Sequence, residues 1–410
     1  MKVLVANLGS TSFKYRLFDI TEAGETLLAK GGYERVENFG EVIEDCVRSL
    51  EEDAHLAPMG ADLDAVGFKC VVGGEVSGCL EADQTVLDAL EKFREVAPAH
   101  NPAYANGIKQ FAKVMPNVPR VALFETAFYQ WTPEPTRHYA VPKNWRDAGI
   151  RRYGFHGASH KFIAERSAQL IGREDIVEKV QHLYQQGNTD ITEKPLRVIS
   201  CHLGGSSSVT GIHNGVAIGS SMGFSPQGGL PQNNRVGDLD TMAIPFMMKT
   251  QGLSLEECEH QLTKEGGLLG LSGAGNDIRD VKDAASKGNQ DARLALEIQI
   301  REIRRWVGSF FFEMGGADII AFTGGIGEYN PDVRAGVCRG LEELGIAVDG
   351  RLNGALMGTE GFISANGART RIAVIPANEE VVIAREVFRF MQSRNAGKSG
   401  VNREKAEVNT

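Results

Sequence analysis

The chain has 410 residues, enough for two domains of ordinary size, and 42% of them are hydrophobic, the composition of a soluble globular protein. Its formal net charge of -9 disfavours a nucleic-acid backbone as main ligand, although local basic sites for small phosphates remain compatible with it. No run approaches the roughly 18–20 apolar residues of a membrane helix, and the opening MKVLVANLGS turns polar and glycine-rich too early for a signal peptide. The cysteines Cys46, Cys70, Cys79, Cys201, Cys258 and Cys338 are scattered and form no C-x-x-C pair. That pattern points to free thiols in a reducing compartment, the cytoplasm, rather than to disulfides or a zinc knuckle.

In chain order, Val3–Ala6 reads as a short buried strand, followed by the turn Asn7-Leu8-Gly9-Ser10-Thr11-Ser12. Phe13, Tyr15 and Leu17 then alternate with Lys14, Arg16 and Phe18, close to the period of two of a strand. Such a hairpin presents backbone N–H groups and hydroxyls at its tip. The pattern recurs: Leu196–Cys201 is an apolar strand, His202-Leu203-Gly204-Gly205-Ser206-Ser207-Ser208 a turn, and Val209–Ile212 and Gly215–Ile218 further strands. The repetition suggests two similar domains, each opening on a phosphate-gripping hairpin. A third apolar strand, Ala317–Phe322, enters Thr323-Gly324-Gly325-Ile326-Gly327-Glu328. Helices are expected near 82–95, 160–172, 240–251, 255–266, 290–313, 333–344 and 379–393. Strands interspersed with helices argue for an α/β protein. Residues 173–195 are polar and weakly periodic and read as a surface insertion; the tail from about Gln392 reads as disordered.

Several familiar motifs fail. Gly397-Lys398-Ser399 lacks the earlier glycine of a P-loop, where Gln392 stands. Gly219-Ser220-Ser221-Met222-Gly223 fits G-x-S-x-G, but Pro226 follows too soon for the helix of a nucleophile elbow. His156 and His160 have metal-pair spacing without the H-E-x-x-H glutamate, so His160 is expected to cap or pack. No G-x-G-x-x-G follows a strand.

Other motifs hold together in order: VLVANLGSTSFKYRLFD at the start, VVGGE at 71–75, APAHNP at 97–102, FETAF at 124–128, RRYGFHGASH at 151–160, HLGGSSS at 202–208, SMGFSPQGGL at 221–230, NRVGDLD at 234–240, SGAGNDIRD at 272–280, FTGGIGE at 322–328 and PANEEVVIAR at 376–385. On these the chain resembles the acetate and propionate kinase family, of the sugar kinase, Hsp70 and actin fold class, over nearly its whole length to about residue 390. The resemblance implies two domains of duplicated ribonuclease H-like, actin-type sheet and helices with a nucleotide cleft between them. The N-terminal domain would span 1–150 and take back the helix 381–393, the C-terminal domain would span 151–380, and 394–410 would be a disordered tail.

It further implies ATP-dependent, reversible, direct in-line transfer of a phosphoryl group to acetate or another short-chain carboxylate, with Mg2+ or Mn2+, in a homodimer. Such transfer asks for cations and donors around two anions, but for no strong base, because the carboxylate carries no proton at neutral pH. By resemblance, Arg235 holds the transferring group, His156 contacts phosphate and Glu125 completes the catalytic set. Lys69, Val71, Ala99, Phe155 and Pro226 meet the carboxylic acid. Ser10, Ser12, Lys14, His202, Gly204, Gly205, Ser206, Asp277, Arg279, Gly325, Ile326 and Gly327 handle the nucleotide, and Asn7 and Glu379 the metal ion.

Departures from the family pattern fall on active positions. Lys69 stands for an arginine and Glu125 for an aspartate, one side chain reaching less and the other more, so the two read as compensating. Gly205 replaces an asparagine of the G-N-G-A turn, and Asn233-Asn234-Arg235-Val236 replaces G-T-R-S. Ala99 replaces a leucine, which enlarges the acyl pocket and predicts that propionate or butyrate serves at least as well as acetate. These changes keep two alternatives open: a family member with another acid or donor, such as pyrophosphate, and a non-catalytic nucleotide or phosphate sensor.

Overall fold

The computed structural model describes residues 1–9 and 11–407, with the side chains of Met59 and of residues 396–407 left out; Ser10 and residues 408–410 lie outside the described residues. The chain divides into two compact units. The first comprises Met1–Gln130, His182–Thr189 and Asn378–Thr410, and the second Trp131–Gln181 and Asp190–Ala377. The first crossing thus comes at residue 130 rather than near 150.

The first unit is built on a six-stranded sheet. Its strands are β1 (Lys2–Leu8), β2 (Ser12–Thr21), β3 (Gly24–Glu34), β4 (Ala65–Cys70), β5 (Cys79–Glu81) and β6 (Arg120–Phe124), in the order β3-β2-β1-β4-β6-β5. The apolar run of β1 is buried from Val3 to Ala6 because the strand lies inside the sheet, antiparallel to β2 and parallel to β4. β4 and β6 are also parallel, and β5 closes the edge antiparallel. Parallel neighbours bring Asn7 of β1, Lys69 of β4 and Glu125, just after β6, to one end of the sheet.

The C-terminal helix, Glu379–Glu407, packs on β1 and β4 of this sheet. It comes so close at Gly67 that an added Cβ would stand 2.8 Å from Val387 Cγ2 and 3.1 Å from Ile383 Cγ2. Only glycine admits that approach, and a larger residue would wedge the helix off the strand. This helix runs on past residue 393, where a disordered tail was expected.

The second unit repeats the pairing. Its strands are β7 (Arg197–Leu203), β8 (Ser207–His213), β9 (Val216–Ser220), β10 (Ile319–Thr323), β11 (Gly361–Phe362) and β12 (Arg371–Val374), in the order β11-β12-β10-β7-β8-β9. β7, β8 and β9 form an antiparallel meander, β10 is parallel to β7 and to β12, and β11 is an antiparallel edge. Read from β9, the order and directions equal those of the first sheet read from β3.

The helix Gln290–Glu313 starts where expected. Asn289 caps it by accepting from Ala292 N, and Ala292, Ala295, Gln299, Ile303, Val307 and Phe310 form its buried stripe. The stretch 255–266 is split into an α-helix, Leu255–His260, and a π-turn, Gln261–Glu265. The polar stretch 173–195 is no simple surface insertion. The helix Glu174–Gln181 buries Ile176, Val177 and Val180, and Leu183–Gln186 belongs to the first unit and packs on the C-terminal helix. No helix among the described residues is long and apolar enough to cross a membrane.

Candidate functional site

In the first unit the focus is Lys69. Its Nζ lies 2.7 Å from Glu379 Oε2 and 3.2 Å from Glu125 Oε1. Glu125 is only 5% exposed, and its backbone N–H donates to Cys70 O at 2.7 Å, which fixes it at the end of β4. Glu379 is the first residue of the C-terminal helix, where a carboxylate is favoured by the helix dipole. Burial alone would push the Lys69 ammonium down, but Glu379 and Glu125 more than offset it and hold the group well above its ordinary value. Lysine is therefore charged here, and it bridges two carboxylates as a point charge. The compensation read from the sequence requires Lys69 and Glu125 to touch, and they are in contact.

Asn7 joins this end of the sheet through Tyr104, whose hydroxyl donates to Asn7 Oδ1 at 2.9 Å. Tyr104 is 1% exposed on the helix Asn101–Val114, and burial pushes its phenol up, so it remains a donor. Nothing in its sequence surroundings singled it out. Of the other residues assigned to this unit, Ser12 begins β2 and accepts through its backbone oxygen from Gly9 N at 2.8 Å. Lys14 is exposed and pairs with Glu34 at 3.2 Å rather than joining the Lys69 cluster. Val71 is buried just beyond β4, and Ala99 is half-buried ahead of the helix Asn101–Val114. Ser10 lies outside the described residues.

In the second unit a cluster of histidines and serines gathers behind the turn between β7 and β8. His156 caps the helix Gly157–Leu170 with φ 58° and ψ 32°, a left-handed conformation uncommon for a residue with a side chain. Its Nδ1 lies 2.8 Å from Ser208 Oγ. Its ring centroid is 4.3 Å from that of His202, whose Nδ1 lies 2.8 Å from Ser159 Oγ. His160 is wholly buried between Ser200 and Ser208, so it does pack, as a bridge between two strands. Phe155, next to His156, is buried.

Arg235 reaches the same turn. Its Nη1 donates to Gln232 Oε1 at 3.2 Å and to Ser206 Oγ at 3.4 Å, and Ser206 Oγ donates to Gln232 Oε1 at 2.8 Å. Gln232 also donates to Pro226 O at 2.7 Å, which ties the half-buried Pro226 to this group. Burial lowers the Arg235 pKa from its ordinary value, but a guanidinium stays charged in proteins. Its acceptors are neutral, and none of the ion pairs among the described residues includes it. A partly buried cation held by neutral groups keeps its charge for an anion.

Beside this turn lies a cavity of about 430 Å³, lined by Gly204, Gly205, Asn233, Asp277, Ile278, Arg279, Gly325, Ile326, Tyr329 and Asn330. Its size suits a small ligand. It unites six of the residues expected at the nucleotide; Gly327 is buried and does not line it. Asp277 caps the helix Ile278–Ser286 by accepting from Arg279 N, and it binds the Arg279 guanidinium through both oxygens, at 2.9 and 2.6 Å. The Arg279 side chain holds the Asp277 carboxyl down at about 2. An added Cβ on Gly325 would meet nothing within 4 Å, so the open cavity begins at its backbone.

Two residues of this region were given no role from the sequence. Arg334 is fully buried and divides its guanidinium N–H groups between the segment Gly324–Tyr329 and the helix Gly350–Ala355 with the residue after it. Nε donates to Asn353 Oδ1, Nη1 to Gly327 O and Glu328 O, and Nη2 to Asn353 O and Leu356 O, all within 2.7–2.9 Å. It fixes the glycine segment Gly324–Tyr329 from behind. Asn233 stands at a departure from the family pattern. Its Nδ2 is 3.2 Å from where a Cβ on Gly205 would stand, and its backbone N–H donates to Gly205 O at 3.1 Å. The asparagine missing at 205 is thus matched by an asparagine amide arriving from 233.

Comparisons with known proteins agree with this arrangement. A profile of the acetokinase family matches residues 34–385. An acetate kinase of Geobacillus sp. (strain WCH70) is 40% identical over 414 residues, covering 95% of this chain and 98% of its own. The acetate kinase of Bacillus subtilis (strain 168) is 38% identical, covering 95% and 99%. Among solved structures, an acetate kinase of Porphyromonas gingivalis superposes with a TM-score of 0.83 at 32% identity, covering 95% of this chain and 99% of its own. A propionate kinase of Francisella tularensis subsp. tularensis SCHU S4 gives 0.80 at 30% identity, covering 94% and 98%. With its glycine-serine turn, the arginine beside it and the paired sheets all carried on matching sequence, the chain belongs to the acetokinase family.

Proposed function

We propose that this chain is a carboxylate kinase that uses ATP to phosphorylate acetate or a related short-chain acid to an acyl phosphate, in a reversible direct transfer. The observation that carries the reading is Arg235, a charged guanidinium at the glycine-serine turn whose acceptors are neutral. It offers paired donors to the equatorial oxygens of the transferring phosphoryl group. His156 and His202 donate to phosphate oxygens, and the cavity at Gly204, Gly205 and Gly325 receives the nucleotide against backbone. In the first unit Lys69 neutralises the incoming carboxylate and Glu125 orients Lys69, with Val71 and Ala99 of the same unit assigned to the acyl chain. We read the repeated sheet order as a duplicated ribonuclease H-like, actin-type unit. The six free cysteines fit a cytoplasmic enzyme.

A divalent cation belongs to this reading. Asn7 and Glu379 offer only oxygen, and among the described residues no three His, Cys, Asp or Glu side chains gather as a cage. That donor set fits Mg2+ or Mn2+, which keep waters and phosphate oxygens as ligands. When bound, such a cation supplies charge neutralisation to the nucleotide phosphates.

Acyl hydroxamate formation with ATP or pyrophosphate across C2 to C5 acids tests the function. Signal is expected with ATP, with propionate and butyrate used at least as well as acetate. Signal only with pyrophosphate, or nucleotide binding without product, would sink the proposal, and an acetate kcat/KM about tenfold above that of propionate would sink its acyl part. Gly325→Leu grows a side chain into the open cavity. ATP affinity should fall about tenfold or more, roughly 1.4 kcal/mol, with Tm unchanged, whereas an unaltered Kd would remove the cavity from the site. For Lys69→Arg and Glu125→Asp, a double-mutant cycle in kcat/KM should show coupling on the order of 1 kcal/mol; additive effects would mean that the two substitutions do not compensate. We also propose a homodimer, supported by the exposed Met242 and Phe246, 68% and 62% accessible, on one face of the second unit. Light scattering giving a monomer mass would contradict it.

A further inference from the structure

The histidine cluster of the second unit has a direction. Four side chains stand in line: Ser200 on β7, His160, Ser208 on β8, and His156. His160 Nδ1 is 2.8 Å from Ser200 Oγ, His160 Nε2 is 2.8 Å from Ser208 Oγ, and Ser208 Oγ is 2.8 Å from His156 Nδ1. Each link holds one hydrogen. Each serine has one hydrogen to give, and a neutral imidazole has one N–H and one lone pair. Burial first, and the neighbouring His202 second, hold the His160 pKa well below its usual value, so that ring is neutral.

Ser200 sets the polarity. Its hydroxyl is 0% exposed, and its side-chain hydrogen bond is to the His160 ring. If His160 donated to it, the Ser200 hydrogen would be buried without an acceptor, at a cost of about 1–3 kcal/mol. Ser200 therefore donates to Nδ1. His160 must then carry its proton on Nε2 and donate to Ser208, and Ser208 donates its own hydrogen to His156 Nδ1. Every hydrogen and every facing lone pair in the line is used.

We infer that Ser200, His160 and Ser208 are positioning residues that hold His156 in one form, the neutral tautomer with its proton on Nε2. A proton on His156 Nδ1 would leave one buried serine hydrogen without an acceptor in this line: that of Ser200 if all three hydrogen bonds reverse, or that of Ser208 if both histidines donate to it. His156 thus presents a neutral N–H donor from a backbone fixed in the left-handed conformation. The tautomer follows from the line itself. Its use, donation to a phosphoryl oxygen as charge builds in the transition state, rests on the function proposed above.

The test is long-range 1H–15N NMR of the histidine rings in the full chain at neutral pH, with His156→Gln assigning the signals. The expected spectrum has a bare Nδ1 and a protonated Nε2 on His156. Ser208→Thr, which keeps the hydroxyl, should preserve it. Ser208→Ala and Ser200→Ala should each give an averaged mixture of tautomers. Ser208→Ala should also lower kcat about tenfold or more with KM within about twofold. A wild-type His156 protonated on Nδ1, or doubly protonated, overturns the inference. So does a folded Ser200→Ala with an unchanged His156 spectrum. If the alanine variants do not fold, the wild-type and Ser208→Thr spectra decide alone. A chain with the expected tautomer but no phosphoryl transfer would overturn the functional reading and leave this one standing.

Discussion

The Lys69 ammonium ties three distant stretches of the first unit to one point. β4 carries it, the end of β6 brings Glu125, and the C-terminal helix brings Glu379 from more than three hundred positions away. A charge so far out of water is tolerable only with partners in place, and removing one partner of such a group costs more than forming the group gains. The close seat of that helix on Gly67 is the packing side of the same constraint, because Glu379 reaches Lys69 only if the helix lies tight against β4.

The second unit solves the opposite problem. Arg235 meets a glutamine oxygen and a serine hydroxyl, which orient the guanidinium without cancelling its charge. Arg334, which is fully buried, is spent entirely on backbone and side-chain carbonyls and holds the segment Gly324–Tyr329. The acceptors of both arginines are neutral, and the two differ in how many donors they spend. One saturates every donor and becomes structure; the other keeps its charge for an anion.

The departures from the family pattern look less disruptive in three dimensions than along the chain. Lys69 and Glu125 meet, so a shortened reach faces a lengthened one. Asn233 brings an amide beside Gly205, where the turn has lost its own. Along the sequence these are four separate exceptions; in space they form two neighbouring pairs. Ala99 belongs to neither pair.

By itself the sequence determined the family and the two glycine-serine hairpins. Short apolar strands ending in Gly and Ser, and a long helix with a 3.6-residue stripe, are local signals, and local signals survive in one dimension. It could not show β4 to β6, where a glycine inside a strand, a three-residue edge and a five-residue run give too little pattern to read. Nor could it show Tyr104, Ser200, Asn233 or Arg334, whose roles consist of which atom they face. The unit boundary at residue 130, the continuation of the last helix, the polarity of the histidine line and the pairing of exception with exception were decided by tertiary structure alone. Each depends on groups far apart in sequence being brought within hydrogen-bond distance, and no periodicity records that.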